Sequence, residues 1–371
     1  DDTEGFLKMY GKLKSRGVTH KKLLTKLGGL EGDVESNNTF ESSIGVISLN
    51  WFDKLSNSMS AILGSLPSIV LFWVGIFIWL GYGNVPLQSE EGIMKKWSDR
   101  WQMIINTIVA VELLVTSVFL ENIRTRNNDL MREQLESFAE FDSKLELQCR
   151  KVLNESEDNP IVKVEPCPKP GMKKLISKYS DIIGTGIGLV ISSIVFGVWI
   201  ASGPIMEWDD NWWLIIGTYT GLVSFTESFV LRCVYFDITG YEETKFLELL
   251  HDSQEMLDIV GIEVELELPR KNGSSFNRIS LGINSLCSTQ WSVLTSLVIV
   301  FLLLVVATLL HWSTTGQLIA NTPTMIIEGF FHLILIQAHN WADETRTTIL
   351  AELVRSRELL LKHTNGYENK N

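Results

Sequence analysis

Six long apolar runs separated by charged stretches limit the fold of this chain more than any other feature. Residues 62–80, 182–206 and 291–310 contain no charged side chain, whereas 101–123, 212–231 and 318–338 carry one or two ionisable groups each. About 20 helical residues, at 1.5 Å apiece, cross the roughly 30 Å hydrocarbon core of a bilayer. Each run is therefore a candidate transmembrane helix. A buried helix in a water-soluble core is the competing reading of any single run, and six in alternation with polar stretches favour the membrane.

The averages hide this arrangement: 45% hydrophobic residues and 32 Lys and Arg against 44 Asp and Glu give a net charge of −12. They exclude a disordered chain, and four Cys are too few for a disulfide scaffold. The acidic balance also lacks the basic footprint of a nucleic-acid binder. Of the basic residues, only Lys95, Lys96 and Arg100 fall in the short connections within span pairs. That asymmetry predicts a cytoplasmic location for both ends and for the long segments between pairs. Acidic Glu207, Asp209 and Asp210 occupy an outer connection. Sequons at Asn37, Asn154 and Asn272 fall on the predicted inner side, where they would stay unmodified. The first 40 residues are polar and basic and hold no cleavable signal. Cys149, Cys167, Cys233 and Cys287 are scattered and read as free thiols.

Similar features recur in the three pairs. Trp79-Leu-Gly-Tyr-Gly83, Trp199-Ile-Ala-Ser-Gly203 and Trp312-Ser-Thr-Thr-Gly316 place an interfacial ring and a helix stop at the outer end of each first helix. Gln102, Asn106 and Thr107 recur as Gln317, Asn321 and Thr322, and Trp97 aligns with Trp212. A charged amphipathic stretch, such as 124–147 or 343–361, follows each second helix. The expected architecture is an all-α polytopic membrane protein: repeated pairs of transmembrane helices, each followed by a cytoplasmic amphipathic helix. Its units are a cytoplasmic segment 1–50 and repeats at 51–150, 151–272 and 273–371. Gly184-x-x-x-Gly188 and Gly217-x-x-x-Gly221 suit close helix contact. Gly184-Thr-Gly-Ile-Gly lacks the strand and acidic residue of a dinucleotide loop.

Carboxylates inside a span normally face a bundle interior or a wet cavity. Glu112, Glu227 and Glu328 sit one in each second helix, at two levels one turn apart. On the third helix His332 and His339 continue the stripe of Glu328 at spacings of four and seven. Gln337, Asn340 and Asp343 add oxygen ligands at its inner end. Carboxylate with imidazole suits a borderline divalent cation such as iron(II), manganese or zinc. Each side chain also has a plainer role: His332 as a hydrogen-bonded core residue, Glu112 and Glu227 paired with threonines. Arg232 and Glu121 lie near the inner interface, where they can snorkel.

The runs Trp101-Gln-x-x-x-Asn-Thr, Leu120-Glu-Asn-Ile-Arg-Thr-Arg126, Trp208 to Gly221, Trp312 to Glu328 and Gln337-Ala-His-Asn-Trp-Ala-Asp343 resemble the fungal low-affinity iron(II) permease family. The resemblance extends from about Trp51 to Leu361. It implies a multi-pass plasma-membrane importer of iron(II) that also accepts copper and zinc, with no enzymatic activity. The metal is cargo, and no prosthetic group is expected. Family members usually carry a further span pair ahead of this region, and residues 5–27 resemble the tail helix of such a pair. Four pairs would surround a pseudo-fourfold axis. The expected path runs from Glu207, Asp209 and Asp210, past Glu112, Glu227 and Glu328, to His339 and Asn122. No Gly-x-x-x-x-Gly-Lys-[Ser/Thr] run is present, so the membrane potential is the expected drive. The expected partners are the metal and the bilayer, not nucleic acid; homo-oligomer formation is left open. A non-transporting membrane scaffold and an intramembrane enzyme are the alternatives.

Overall fold

A computed structural model describes residues 2–27, 50–88, 94–169, 171–183, 186–264, 266 and 275–368. The sequons at Asn37 and Asn272, and Gly184, lie outside the described residues. The regular structure of the described residues is helical apart from two short antiparallel strands, Leu87–Gln88 and Met94–Lys95. Helix α1 spans Asp2–Leu27. There follow α2 (Trp51–Leu63), α3 (Leu66–Gly83) and α4 (Asp99–Leu153); α5 (Met172–Ile183), α6 (Gly186–Ser202) and α7 (Asp210–Ile259); then α8 (Ser275–Cys287), α9 (Gln290–Leu309) and α10 (Thr314–Glu368). The order short helix, apolar helix, long helix thus occurs three times.

Among the described residues, five helices are long and apolar enough to cross a membrane: α3, α9 and stretches of α4, α7 and α10; α6 contains a shorter apolar helix, Val190–Ser202. Leu71, Phe77, Leu114, Phe301 and Leu309 point outward and are mostly uncovered. Such an apolar belt belongs in lipid, where helices satisfy their own backbone hydrogen bonds.

Three expectations change. The first apolar run is not one helix, because the chain breaks at Gly64 and Ser65, and Pro67 opens α3. Proline is favoured there because the first turn has no use for its missing N–H. The amphipathic stretches are not separate helices either: α4, α7 and α10 run unbroken for 55, 50 and 55 residues. Polar residues of good helix propensity simply carry the helix past the end of the apolar segment. Finally, Trp312 does not end α9. It lies beyond that helix at φ +53°, as do Trp97 and Trp208 in the other two corners.

Those corners share a backbone plan. The N–H groups of Trp97, Trp208 and Trp312 donate to the carbonyls of Gly83, Gly203 and Ala307 at 2.9, 3.0 and 2.8 Å. A Cβ on Gly83 would come within 2.8 Å of the Trp97 ring, and one on Gly203 within 2.5 Å of Trp208. Glycine is required at both places. Trp79 and Trp101 exchange indole N–H bonds to each other's carbonyls at 3.1 Å, and Trp199 and Trp212 do so at 2.9 Å. Trp212 therefore corresponds to Trp101, and Trp97 to Trp208. Both tryptophan pairs are spaced by four, so the sequence admits either register.

Beyond the apolar segments, α1 and the far halves of α4, α7 and α10 form a four-helix bundle. Each of α1 and α10 packs against both α4 and α7. Leu13, Leu24, Phe138, Leu145, Leu249, Met256, Leu353 and Leu360 fill its core. A buried charge network fastens the helices: Asp142 on α4 accepts from Arg357 Nε of α10 at 2.7 Å and faces His20 Nδ1 of α1 at 3.4 Å. Arg357 also donates to Ser253 Oγ of α7 at 3.1 Å. All four helices meet in this network. All four cysteines are free thiols, as expected.

Candidate functional site: a polar seam along α10

Helix α10 lies between α4 and α7 and carries polar side chains along the contact. At the corner end, Thr315 donates to Asp99 and Thr314 to Asn211, both at 3.1 Å. One to two turns deeper, Asn106 donates to Thr322 at 3.2 Å and Thr218 to Gln317 at 3.5 Å. A Cβ on Gly221 would fall 1.9 Å from Asn321 Oδ1, so α7 and α10 touch closely there. The other glycines behave differently. Gly217 meets nothing, and Gly188 abuts the Ile183 carbonyl at the end of α5 rather than another span.

The next level joins two of the expected carboxylates. Glu112 Oε2 of α4 lies 2.9 Å from where a Cβ on Gly329 would be, and Glu112 interacts electrostatically with Glu328. Neither oxygen of Glu112 has a hydrogen-bond partner among the described residues. Glu328 is buried and also feels Glu227 and Arg232 of α7. Glu227 is half-buried and adjoins Tyr179 of α5. Arg232 is buried, contrary to the expected snorkelling, because its guanidinium packs over the Phe331 ring of α10. His332 lies within the field of Arg232.

Further along, the His339 ring packs 4.0 Å from that of Tyr235. Asn340 exchanges hydrogen bonds with Ser60 of α2, and Asn122 donates to Ser56 and Asp53 of the same helix at 3.0 and 3.2 Å. The short helix α2 thus packs against α4 and α10 at this end. Asp343 accepts from Asn127 at 2.7 Å and pairs with Arg346, which reaches Glu242 at 3.3 Å. Gln337 lies half-buried on the same helix. At the opposite end Glu207, Asp209 and Asp210 are exposed, and Asp209 caps α7 by accepting from the Trp212 N–H at 2.8 Å. Among the described residues, no group of three or more His, Cys, Asp or Glu is placed to hold a metal ion. The seam offers successive small sets of ligands, not one cage. The amides and hydroxyls of its first half were visible in the sequence only as repeated positions, and Asp99, Asn211 and Asp53 carried no signal.

The profile of the low affinity iron permease family matches residues 172–234 and 276–366. The low-affinity Fe(2+) transport protein of Saccharomyces cerevisiae is 43% identical over 383 residues, covering 95% of this chain and 69% of that protein. The chain belongs to the low affinity iron permease family. A second family member, the low-affinity iron/zinc ion transport protein of Schizosaccharomyces pombe, is 37% identical over 378 residues, which cover 97% of this chain and 61% of the relative. The chain thus spans about three fifths of that relative's length. Both relatives are named as transport proteins, not as enzymes. No solved structure matches this permease-family chain.

Proposed function

We propose that the chain carries iron(II), and with it divalent cations such as copper and zinc, across the plasma membrane at low affinity, along the seam where α10 meets α4 and α7. The meeting of Glu112 and Glu328 carries this reading. Two carboxylates from different helices adjoin within apolar spans, and one of them lacks any hydrogen-bond donor among the described residues. An ionised carboxylate at the bilayer centre costs about 2.5–3.5 kcal/mol even on lenient scales, and a passing cation offsets that cost. The transport names of both relatives support the same conclusion.

The basic asymmetry of the loops orients the four-helix bundle to the cytoplasm. Glu207, Asp209 and Asp210, with Asp99 behind them, concentrate cations at the outer mouth. The ion exchanges part of its water for the amides and hydroxyls of Asn106, Thr322 and Gln317, then meets Glu112, Glu328 and Glu227. His332 and His339 receive it, and Gln337, Asn340, Asn122 and Asp343 return it to water. An inside-negative potential favours entry of a divalent ion by about 4.6 kcal/mol per 100 mV, twice the single-charge value. Three repeats, 51–150, 151–272 and 273–371, follow the segment 1–50 in this reading, and each contributes one long helix to the seam.

Radio-iron uptake tests it in cells that lack their own iron uptake. Glu328→Gln and Glu112→Gln, at equal surface level, should each cut initial uptake about tenfold, equivalent to about 1.4 kcal/mol. Unaltered uptake in both would remove the seam as the route and leave the scaffold reading.

A further inference from the structure

Arg232 on α7 is 2% exposed, and none of its three guanidinium nitrogens has a hydrogen-bond partner among the described residues. Its guanidinium carbon stands 4.9 Å from the centroid of the Phe331 ring. A ring face attracts a cation without fixing it as a fork of hydrogen bonds would. The charge is confined there but not tied. Its electrostatic surroundings are Glu328, the Cys287 thiol and His332. Glu328 in turn interacts with Glu112 on α4 and Glu227 on α7. Glu328 thus couples to two further carboxylates and one guanidinium, and with all four ionised the formal charge of this layer is −2.

We propose that Arg232 is a built-in counter-cation that sets the metal affinity of this carboxylate layer. The inference rests on the route proposed above. With Arg232 in place, one divalent ion brings the layer to neutrality, so the loaded layer neither retains the ion strongly nor attracts a second. A monovalent ion leaves the layer still negative. Without the guanidinium the layer carries −3, and an arriving divalent ion is bound more tightly and released more slowly. Low affinity is then a consequence of a fixed internal charge, and the aromatic seat lets that charge shift as the ion passes.

The test is the concentration dependence of radio-iron uptake by the full chain in the same cells, at matched surface levels. Arg232→Gln should lower the KM about tenfold, within the usual range for coupled sites, and lower the maximal rate as release slows. Arg232→Lys keeps the charge and should stay near the parent KM. Glu227→Gln should raise the KM, and Glu227→Gln combined with Arg232→Gln restores −2 and should return the KM toward the parent value. A purely packing role predicts instead that Arg232→Gln and Arg232→Lys lower the maximal rate alike with no fall in KM, and that result overturns the proposal. If Glu328→Gln and Glu112→Gln leave uptake unaltered, the route itself fails. If they cut uptake as expected while Arg232→Gln leaves the KM unmoved, only the counter-cation is wrong.

Discussion

In the four-helix bundle, buried Asp142 is surrounded by Arg357 at 2.7 Å, His20 at 3.4 Å and Arg16 at 4.0 Å. In the membrane seam, Glu112 and Arg232 are likewise shielded, yet neither has a hydrogen-bond partner among the described residues. The two regions use buried charge for different ends. A charge enclosed by partners holds helices in register, and removing one partner strands the other. A charge left without partners keeps its capacity for something that arrives and leaves.

Stability measurements can break that contrast. Asp142→Ala leaves Arg357 buried and unpaired, so it should destabilise the protein by about 3–5 kcal/mol, read as a fall in unfolding midpoint of the purified protein. Glu112→Gln removes an unpaired buried charge and should leave the midpoint unchanged or raised. Equal losses in the two variants would erase the distinction.

Acid sharpens it. Burial pushes His20 down to about 4, against an ordinary value of 6.5. Between those values the unfolded chain binds a proton that the folded bundle does not. The stability from His20 is thus fully present above pH 6.5 and lost as pH falls through 4, a change of about 3 kcal/mol. Arg16, Arg357, Asp142 and Glu146 face the same ring. His20→Gln should flatten the dependence in a pH series of midpoints.

The smallest expected loss of stability belongs to Gly221→Ala. The new Cβ would meet the end of the Asn321 side chain, a group able to turn aside, so the expected loss is about 1 kcal/mol, within the ordinary range for single substitutions. The same variant narrows the seam at Asn321, and its uptake should fall by a larger factor than its stability implies.

The apolar runs were plain in the sequence because about 20 uncharged residues have few alternatives. The short helices α2, α5 and α8 were not, since 12 or 13 mixed residues flanking a long apolar run have no boundary of their own. The unity of α4 could have been read, because residues 99–153 contain neither glycine nor proline to end the helix. Glu112 and Glu328 were identified as candidates from their setting. Arg232 was misplaced for the same reason, as distance along an apolar run does not say what covers a side chain. That Glu112 approaches Gly329, and that Asn122 turns to α2, depends on tertiary contacts no single-helix pattern encodes.

Helix α4, with its 55 residues at 1.5 Å each, is a rod of about 80 Å that passes from the seam into the bundle. A rod without a joint behaves as a lever. Any tilt that parts α4 from α10 beside Glu112 must swing its far end, where Asp142 is gripped by α1 and α10. On the proposed route, the network around Asp142 is where such a tilt would pivot, so the bundle and the seam would move as one body.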